Sequence, residues 1–336
     1  MDIDVSNIET LTADDIAGVQ FLYGAPAGGP ISISSAPFDR GADFTGHGMP
    51  DLLWFDPAAR LAGAWLLNGD QVQSTQAFGP IGAGWQPVTV ADFDKSGRGD
   101  IVWKYGDGQL YGVWRMNGLT VTSTQILTAP NSNYALVGIA DINDDGYPDI
   151  LWRDKQAGTL FVWYYQGTNV VGTQTLTPLS PEWTVEGTPR VSGQVEILIR
   201  NRSSGAVELL QTNGASVVQN LPLGTVPLNW QIVACGDFSG NGTDDIVWMD
   251  TSSNTLGIWY LGPTGVVSEG IVATVPPDWK FAGLENLNGS GRSSILWRES
   301  NVGYVGVWQI QAFGISQSYI LATVPLAWQI QPVTGQ

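Results

Sequence analysis

Asp43, Asp92 and Asp141 stand 49 residues apart, and the interval continues down the chain to Arg190, Asp237 and Asn286, with one step shortened to 47. The repeat makes six copies, starting near residues 36, 85, 134, 183, 230 and 279. All 15 tryptophans fall into three columns of this unit. Trp54, Trp103, Trp152, Trp248 and Trp297 form the first, and Trp65, Trp114, Trp163, Trp259 and Trp308 the second, 11 residues later. The third is Trp85, Trp183, Trp230, Trp279 and Trp328, with Tyr134 in the missing place. Such a chain must repeat one supersecondary unit whose apolar face is hidden only by its neighbours, so the columns are expected to pack between units.

Within a copy the pattern has the period of strands. In copy five, Trp230–Asp237, Asp245–Asp250, Leu256–Leu261 and Gly265–Thr274 are short apolar, β-branched runs separated by Gly, Asn and Asp clusters. Asn68-Gly69, Asn117-Gly118 and Asn213-Gly214 mark hairpin turns that need positive φ. Four strands per unit describe one blade of a β-propeller, an architecture that buries sheet against sheet around an axis without leaving long open edges. The reading is therefore all-β, with antiparallel four-stranded blades, six from the copy number and seven as the alternative. Residues 328–335 resemble a further first strand, which either seals the ring beside Ile31–Ser35 or marks a truncated seven-bladed parent.

Composition narrows the partners. Fourteen basic against 31 acidic residues give a net charge of −17, which repels nucleic acid and anionic lipid. No apolar run approaches the roughly 18 residues needed to span a bilayer as a helix. Cys235 is the only cysteine and reads as a small buried hydrophobe, and His47, the only histidine, removes any scheme needing two imidazoles.

Chemistry concentrates in the loop between the first two strands. Its copies run Asp43, Thr45, His47, Gly48, Asp51, then Asp92, Asp94, Ser96, Gly97, Arg98, Asp100, then Asp141, Asn143, Asp145, Gly146, Tyr147, Asp149, and Asp237, Ser239, Asn241, Gly242, Thr243, Asp245. Side-chain oxygens at positions 1, 3 and 5, a backbone carbonyl at 7 and a carboxylate at 9 can wrap one hard cation, with Gly at 6 for the sharp turn. Oxygen donors without nitrogen or sulfur point to calcium, expected as two to four structural ions. Copies two and three offer three carboxylates each and rank first; copy five offers two. In copy one His47 replaces an oxygen donor, and copy six (Asn286, Asn288, Ser290, Ser294) has no carboxylate. Copy four has lost two loop residues and begins with Arg190. The competing reading of every loop is an Asx turn that caps its own backbone without metal.

The pattern Asp-Phe-x-x-x-Gly-x-x-Asp-Ile-x-Trp, followed by Trp-x-x-Asn-Gly and Val-Pro-x-x-Trp-x-Ile, resembles the FG-GAP/VCBS class of propeller repeats of bacterial secreted proteins and integrin α chains. The resemblance implies a calcium-containing propeller used for adhesion or recognition. Arg98-Gly99-Asp100 spells a tripeptide that integrins recognise, but it lies inside the second cation loop and is read as coincidence.

Residues 1–30 do not repeat. Thr12 and Asp15 form a capping box for a short helix with Ile16, Val19, Leu22 and Tyr23 on one face, ending at Gly24. Leu11–Gly24 resembles the last helix of matrixin-like zinc metalloproteases. Their His-Glu-x-x-His run is absent, so this chain is not itself the protease. The expectation is a secreted bacterial, monomeric, non-catalytic binding or adhesion module at the C-terminal end of such an enzyme, directed at a protein or glycan on a cell surface or matrix. Two alternatives stand beside it: a lectin stacking sugars on inter-blade tryptophans, and a polysaccharide-acting enzyme, for which Glu182, Glu186, Glu208 and Glu269 have no evident partner in the sequence.

Overall fold

A computed structural model describes residues 42–108, 110–214 and 216–329. The helix read at residues 12–24, the strand at 31–35 and most of 328–335 lie outside them. The described chain is all-β and builds six blades. Blade one holds β1 (Leu52–Asp56), β2 (Leu61–Asn68) and β3 (Gln71–Phe78). Blade two holds β4 (Trp85–Ala91), β5 (Asp100–Tyr105), β6 (Leu110–Asn117) and β7 (Thr120–Leu127); blade three, β8 (Tyr134–Ala140), β9 (Asp149–Asp154), β10 (Thr159–Gln166) and β11 (Asn169–Pro178). Blade four is β12 (Trp183–Gly187), a small hairpin β13 (Arg190–Val191) and β14 (Gln194–Val195), then β15 (Ile197–Asn201), β16 (Ala206–Thr212) and β17 (Val217–Thr225). Blades five and six are β18 (Trp230–Gly236) to β21 (Gly265–Thr274), through β19 (Asp245–Asp250) and β20 (Thr255–Gly262), and β22 (Trp279–Glu285) to β25 (Gly314–Thr323), through β23 (Ser294–Glu299) and β24 (Tyr304–Gln311). Apart from the small hairpin, each blade's strands pair antiparallel with their sequence neighbours.

The second strand of each blade begins with residues buried in succession, such as Ile101-Val102-Trp103 and Ile246-Val247-Trp248. A strand flanked by other blades on both faces has no solvent side, so it reads as an apolar run rather than an alternation. The outermost strands, by contrast, carry many exposed residues, most of all β7 and β25. Six apolar clusters fill the six seams, each drawing on two consecutive blades. One joins Leu52, Trp54 and Trp65 of blade one to Leu296, Val305 and Val324 of blade six, so the ring closes at six and the seven-bladed alternative falls.

Among the described residues blade one has three strands, and the other end of the chain pairs with the first of them. Phe55 and Gln329 exchange two backbone hydrogen bonds (3.1 and 2.9 Å) in antiparallel pairing. The register is the one Lys104 keeps with Gln86 and Met249 with Gln231. The first-strand seal read from Trp328 is therefore present at Gln329.

The tryptophan columns do different work. The first column is wholly buried, at 1–2% exposure, while the third lies half-buried. Four of the five third-column indoles lie over a glycine two residues before a second-column tryptophan: a Cβ on Gly63 would meet Trp328 at 3.3 Å, on Gly112 Trp85 at 3.4 Å, on Gly257 Trp230 at 3.3 Å, and on Gly306 Trp279 at 2.5 Å. In the tight hairpins the turn sits one place later than the Asn-Gly pair suggests: Asn68 pairs with Gln71, and Gly69, with φ 64°, is the first residue of the turn.

Candidate metal loops at the blade rim

Each cation-type loop is organised by its first aspartate. Asp43 Oδ1 accepts the amides of Thr45, Gly46 and His47, and its Oδ2 that of Gly48. Asp92, Asp141 and Asp237 repeat the arrangement, each giving Oδ2 to the amide of the Gly at position 6 at 2.7–2.8 Å. This is the Asx-type cap, and it draws the remaining side chains to one side. Asp94, Ser96, Asn143 and Asn241 are exposed, whereas Thr45, Asp145 and Ser239 are half-buried.

The ninth-position carboxylates are fully buried: Asp51, Asp100, Asp149 and Asp245 are each 0% exposed. Each staples its loop to the third strand. Asp51 accepts the amides of Phe44 (2.8 Å) and Leu67 (2.9 Å), and Asp245 those of Phe238 and Leu261 (both 3.0 Å). Asp100 and Asp149 do the same, with the Arg115 guanidinium added at Asp100. Burial pushes Asp51, Asp149 and Asp245 up to about 7 against the pull of those amides. At Asp100 burial again dominates, with Arg115 holding the value to about 6. Because Asp100 is sealed in this way, the Arg98-Gly99-Asp100 tripeptide presents no carboxylate to a partner.

The loops are not equivalent. Carboxylate oxygens of Asp92, Asp94 and Asp100 lie within 4.8 Å of one another, an all-oxygen set that fits a hard cation. In copy three the side chains of Asn143 and Asp145 meet at 3.2 Å. Basic side chains reach in from the neighbours: Lys95 bonds the carbonyl of Asp145 and sits 4.0 Å over the Tyr147 ring, and Arg190 pairs with Asp144 at 2.9 Å. In copy one the imidazole of His47 takes the centre, with Nδ1 3.1 Å from Asp43 Oδ1 and Nε2 2.8 Å from the carbonyl of Leu67. Desolvation opposes its charge, but the Leu67 carbonyl and Asp43 outweigh it and raise the imidazole pKa. Doubly protonated, that ring supplies the positive charge the loop needs.

Copy four replaces the loop with the hairpin Arg190–Val195, and Glu196 keeps the staple by accepting the Thr212 amide at 2.7 Å. Copy six retains only Asx-type contacts such as Ser290 N to Asn288 Oδ1 (3.1 Å).

Neighbouring loops are also laced together. The amide at position 8 donates to the first-residue carbonyl of the preceding copy: Gly99 to Asp43 (2.7 Å), Asp244 to Arg190 (2.8 Å) and Ser293 to Asp237 (2.6 Å). Gly118, in the third hairpin turn of blade two, donates to Phe44 of loop one at 2.8 Å. Sequence reasoning does not reach these bonds. Position 8 is proline in copies one and three (Pro50, Pro148), so the stitch belongs to copies that keep an amide there; at Gly99 a Cβ would strike Val90 at 2.4 Å.

Residues 43–103 match the family model of the FG-GAP-like repeat. No curated protein matches the chain. Among solved structures, the chain is similar to a Photorhabdus luminescens Tc holotoxin pore (15% identity, TM-score 0.53), over 78% of this chain and 13% of the toxin chain. It is also similar to virginiamycin B lyase from Staphylococcus aureus (13% identity, TM-score 0.51), over 87% of this chain and 84% of the lyase. At such identities the likeness is one of fold.

Proposed function

We propose that this propeller is a calcium-stabilised, non-catalytic recognition module of a secreted bacterial protein, carried behind a matrixin-like zinc metalloprotease. One observation bears most of the weight: the converging carboxylates of Asp92, Asp94 and Asp100 in a loop already shaped by its own backbone caps. Copies two and three are the first calcium sites and copy five (Asp237, Ser239, Asn241, Thr243, Asp245) the next. In copy one (Asp43, Thr45, Asp51) the ion competes with His47. Calcium would neutralise the clustered carboxylates and tie each loop down, stabilising the fold by mass action because the unfolded chain lacks the site.

The acidic residues of the rim are engaged as backbone acceptors, which supports binding over catalysis. Of the acids outside the repeat pattern, Glu186 is held by the Thr184 hydroxyl. Calcium calorimetry on chelator-treated protein, paired with melting curves, tests the metal reading: two to four ions and a raised melting temperature are expected, and no heat of binding refutes it. Saturable binding to immobilised matrix proteins or polysaccharides without turnover tests the recognition role.

A further inference from the structure

The seams differ in the residues that bridge them, and the seam between blades one and two has a glycine in its linker. Elsewhere the linker into a new blade carries Pro227, Pro276, Pro325, Asn131 or Ser180 three residues before the aromatic that opens the first strand; here that place is Gly82. The homology is structural, since Trp85 N bonds the Gly82 carbonyl as Trp230 N bonds that of Pro227. In three other seams an arginine at the end of the second strand reaches the linker carbonyls. Arg153 bonds Ser180 O (3.2 Å), Arg200 bonds Pro227 O (3.0 Å) and Arg298 bonds Pro325 O (2.7 Å). The corresponding residue here is Phe55, which turns edge-on to Trp103 at 6.0 Å and bonds no linker carbonyl through its side chain.

This seam holds a groove of about 360 Å³, lined by Gly82, Trp85, Trp103, Trp114 and Thr124 among others. The equivalent space between blades six and one, under Pro325, is about 40 Å³. The larger groove falls within the roughly 300 to 1,000 Å³ of small-ligand sites, and aromatic walls with a few polar groups are the usual lining.

We infer that this groove binds one or two rings of a neutral glycan. Two half-buried indoles, Trp85 and Trp114, offer flat faces for the C–H surface of a sugar, and the exposed Thr124 hydroxyl stands at the rim to meet sugar hydroxyls. The lining carries no charged side chain, and a chain of net charge −17 disfavours anionic ligands, so the complement is uncharged. A proline-rich peptide also likes aromatic slots, but it extends by about 3.1 Å per residue and needs several in a row. On one flank the adjoining space between blades six and one is about 40 Å³, with Arg298 lying 6.0 Å over the Trp54 ring.

The inference rests on the recognition-module reading and sharpens it. The test is a glycan array followed by calorimetry with the best neutral oligosaccharide, in calcium, on wild type, Trp114→Ala, Gly82→Pro and Trp308→Ala. Gly82→Pro places the linker residue of three other seams at a φ outside the left-handed region, where its Cβ would meet the Trp85 ring at 3.1 Å and narrow the groove without removing an aromatic. At least a tenfold loss of affinity is expected in Trp114→Ala and Gly82→Pro, with wild-type affinity in Trp308→Ala, the equivalent position of blade six. Undiminished binding by folded Gly82→Pro overturns the groove. Binding of proline-rich peptides but no glycan overturns the ligand class, and silence toward glycans while calcium and matrix-protein binding persist overturns the inference alone.

Discussion

Glu196 accepts the backbone amide of Thr212 at 2.7 Å, in the place where Asp51, Asp149 and Asp245 accept Leu67, Tyr165 and Leu261 in their own blades. The staple thus survives in the one copy that lost its cation loop. Its recurrence around the ring, with the loop gone, separates two jobs that share a carboxylate column: holding strand to strand, and gathering charge at the rim.

The staples predict a pH dependence. Burial raises Glu196, Asp51, Asp149 and Asp245 to about 7, above their unfolded values near 4 to 4.5. A raised folded pKa favours the folded state fully below the unfolded pKa, and the contribution is lost as pH rises through about 7. Calcium-free protein should therefore lose stability between about pH 4 and pH 7, by roughly 1.4 kcal/mol per pH unit for each group. Glu196→Gln should flatten that slope, as urea titrations across the range would reveal.

His47 makes a related prediction for loop one. Its raised pKa means that its ion pair with Asp43 stabilises the fold below the unfolded value and fades as pH climbs past the folded one. His47→Asn should remove this component and provide an oxygen donor in its place. Calorimetry should then count one more calcium per chain than in wild type at pH 6.

Asp94→Asn leaves the buried staple of Asp100 intact while removing a charge from the best-formed cluster. The expected result is calcium affinity in loop two weakened at least tenfold, with melting in chelator within about 0.5 kcal/mol of wild type, as for an exposed substitution.

The glycine beneath Trp279 leaves no room for a side chain. Gly306→Ala would place a Cβ 2.5 Å from Trp279, so it should destabilise the protein by about 1–3 kcal/mol. Gly118→Ala, with open space around its Cβ but φ at 59°, should cost about 1–2 kcal/mol through the backbone alone. Denaturant melts of the pair separate packing from backbone strain.

The blade count and strand order were legible because Asp, Gly and Trp recur at fixed intervals, and the buried Ile-Val-Trp runs carry the period of strands enclosed on both faces. The role of Asp100 was harder to see. From spacing alone it reads as a cation donor; the fold gives it a second task, bringing the amides of Phe93 and Met116 to its two oxygens. The hint was its position at the head of an apolar strand, where an unpaired carboxylate is costly. The bonds from Gly99 to Asp43 and from Ser293 to Asp237 join different copies, and a repeat alignment, which stacks copies on one another, hides what passes between them.

Those stitches, together with the Phe55–Gln329 clasp, set how the molecule comes apart. In an open solenoid the outermost unit has one neighbour and frays first. A closed circle offers no outermost unit: peeling away any blade severs contacts on both flanks, and the first and last blades share an apolar seam as the other pairs do. Melting should accordingly be a single concerted event.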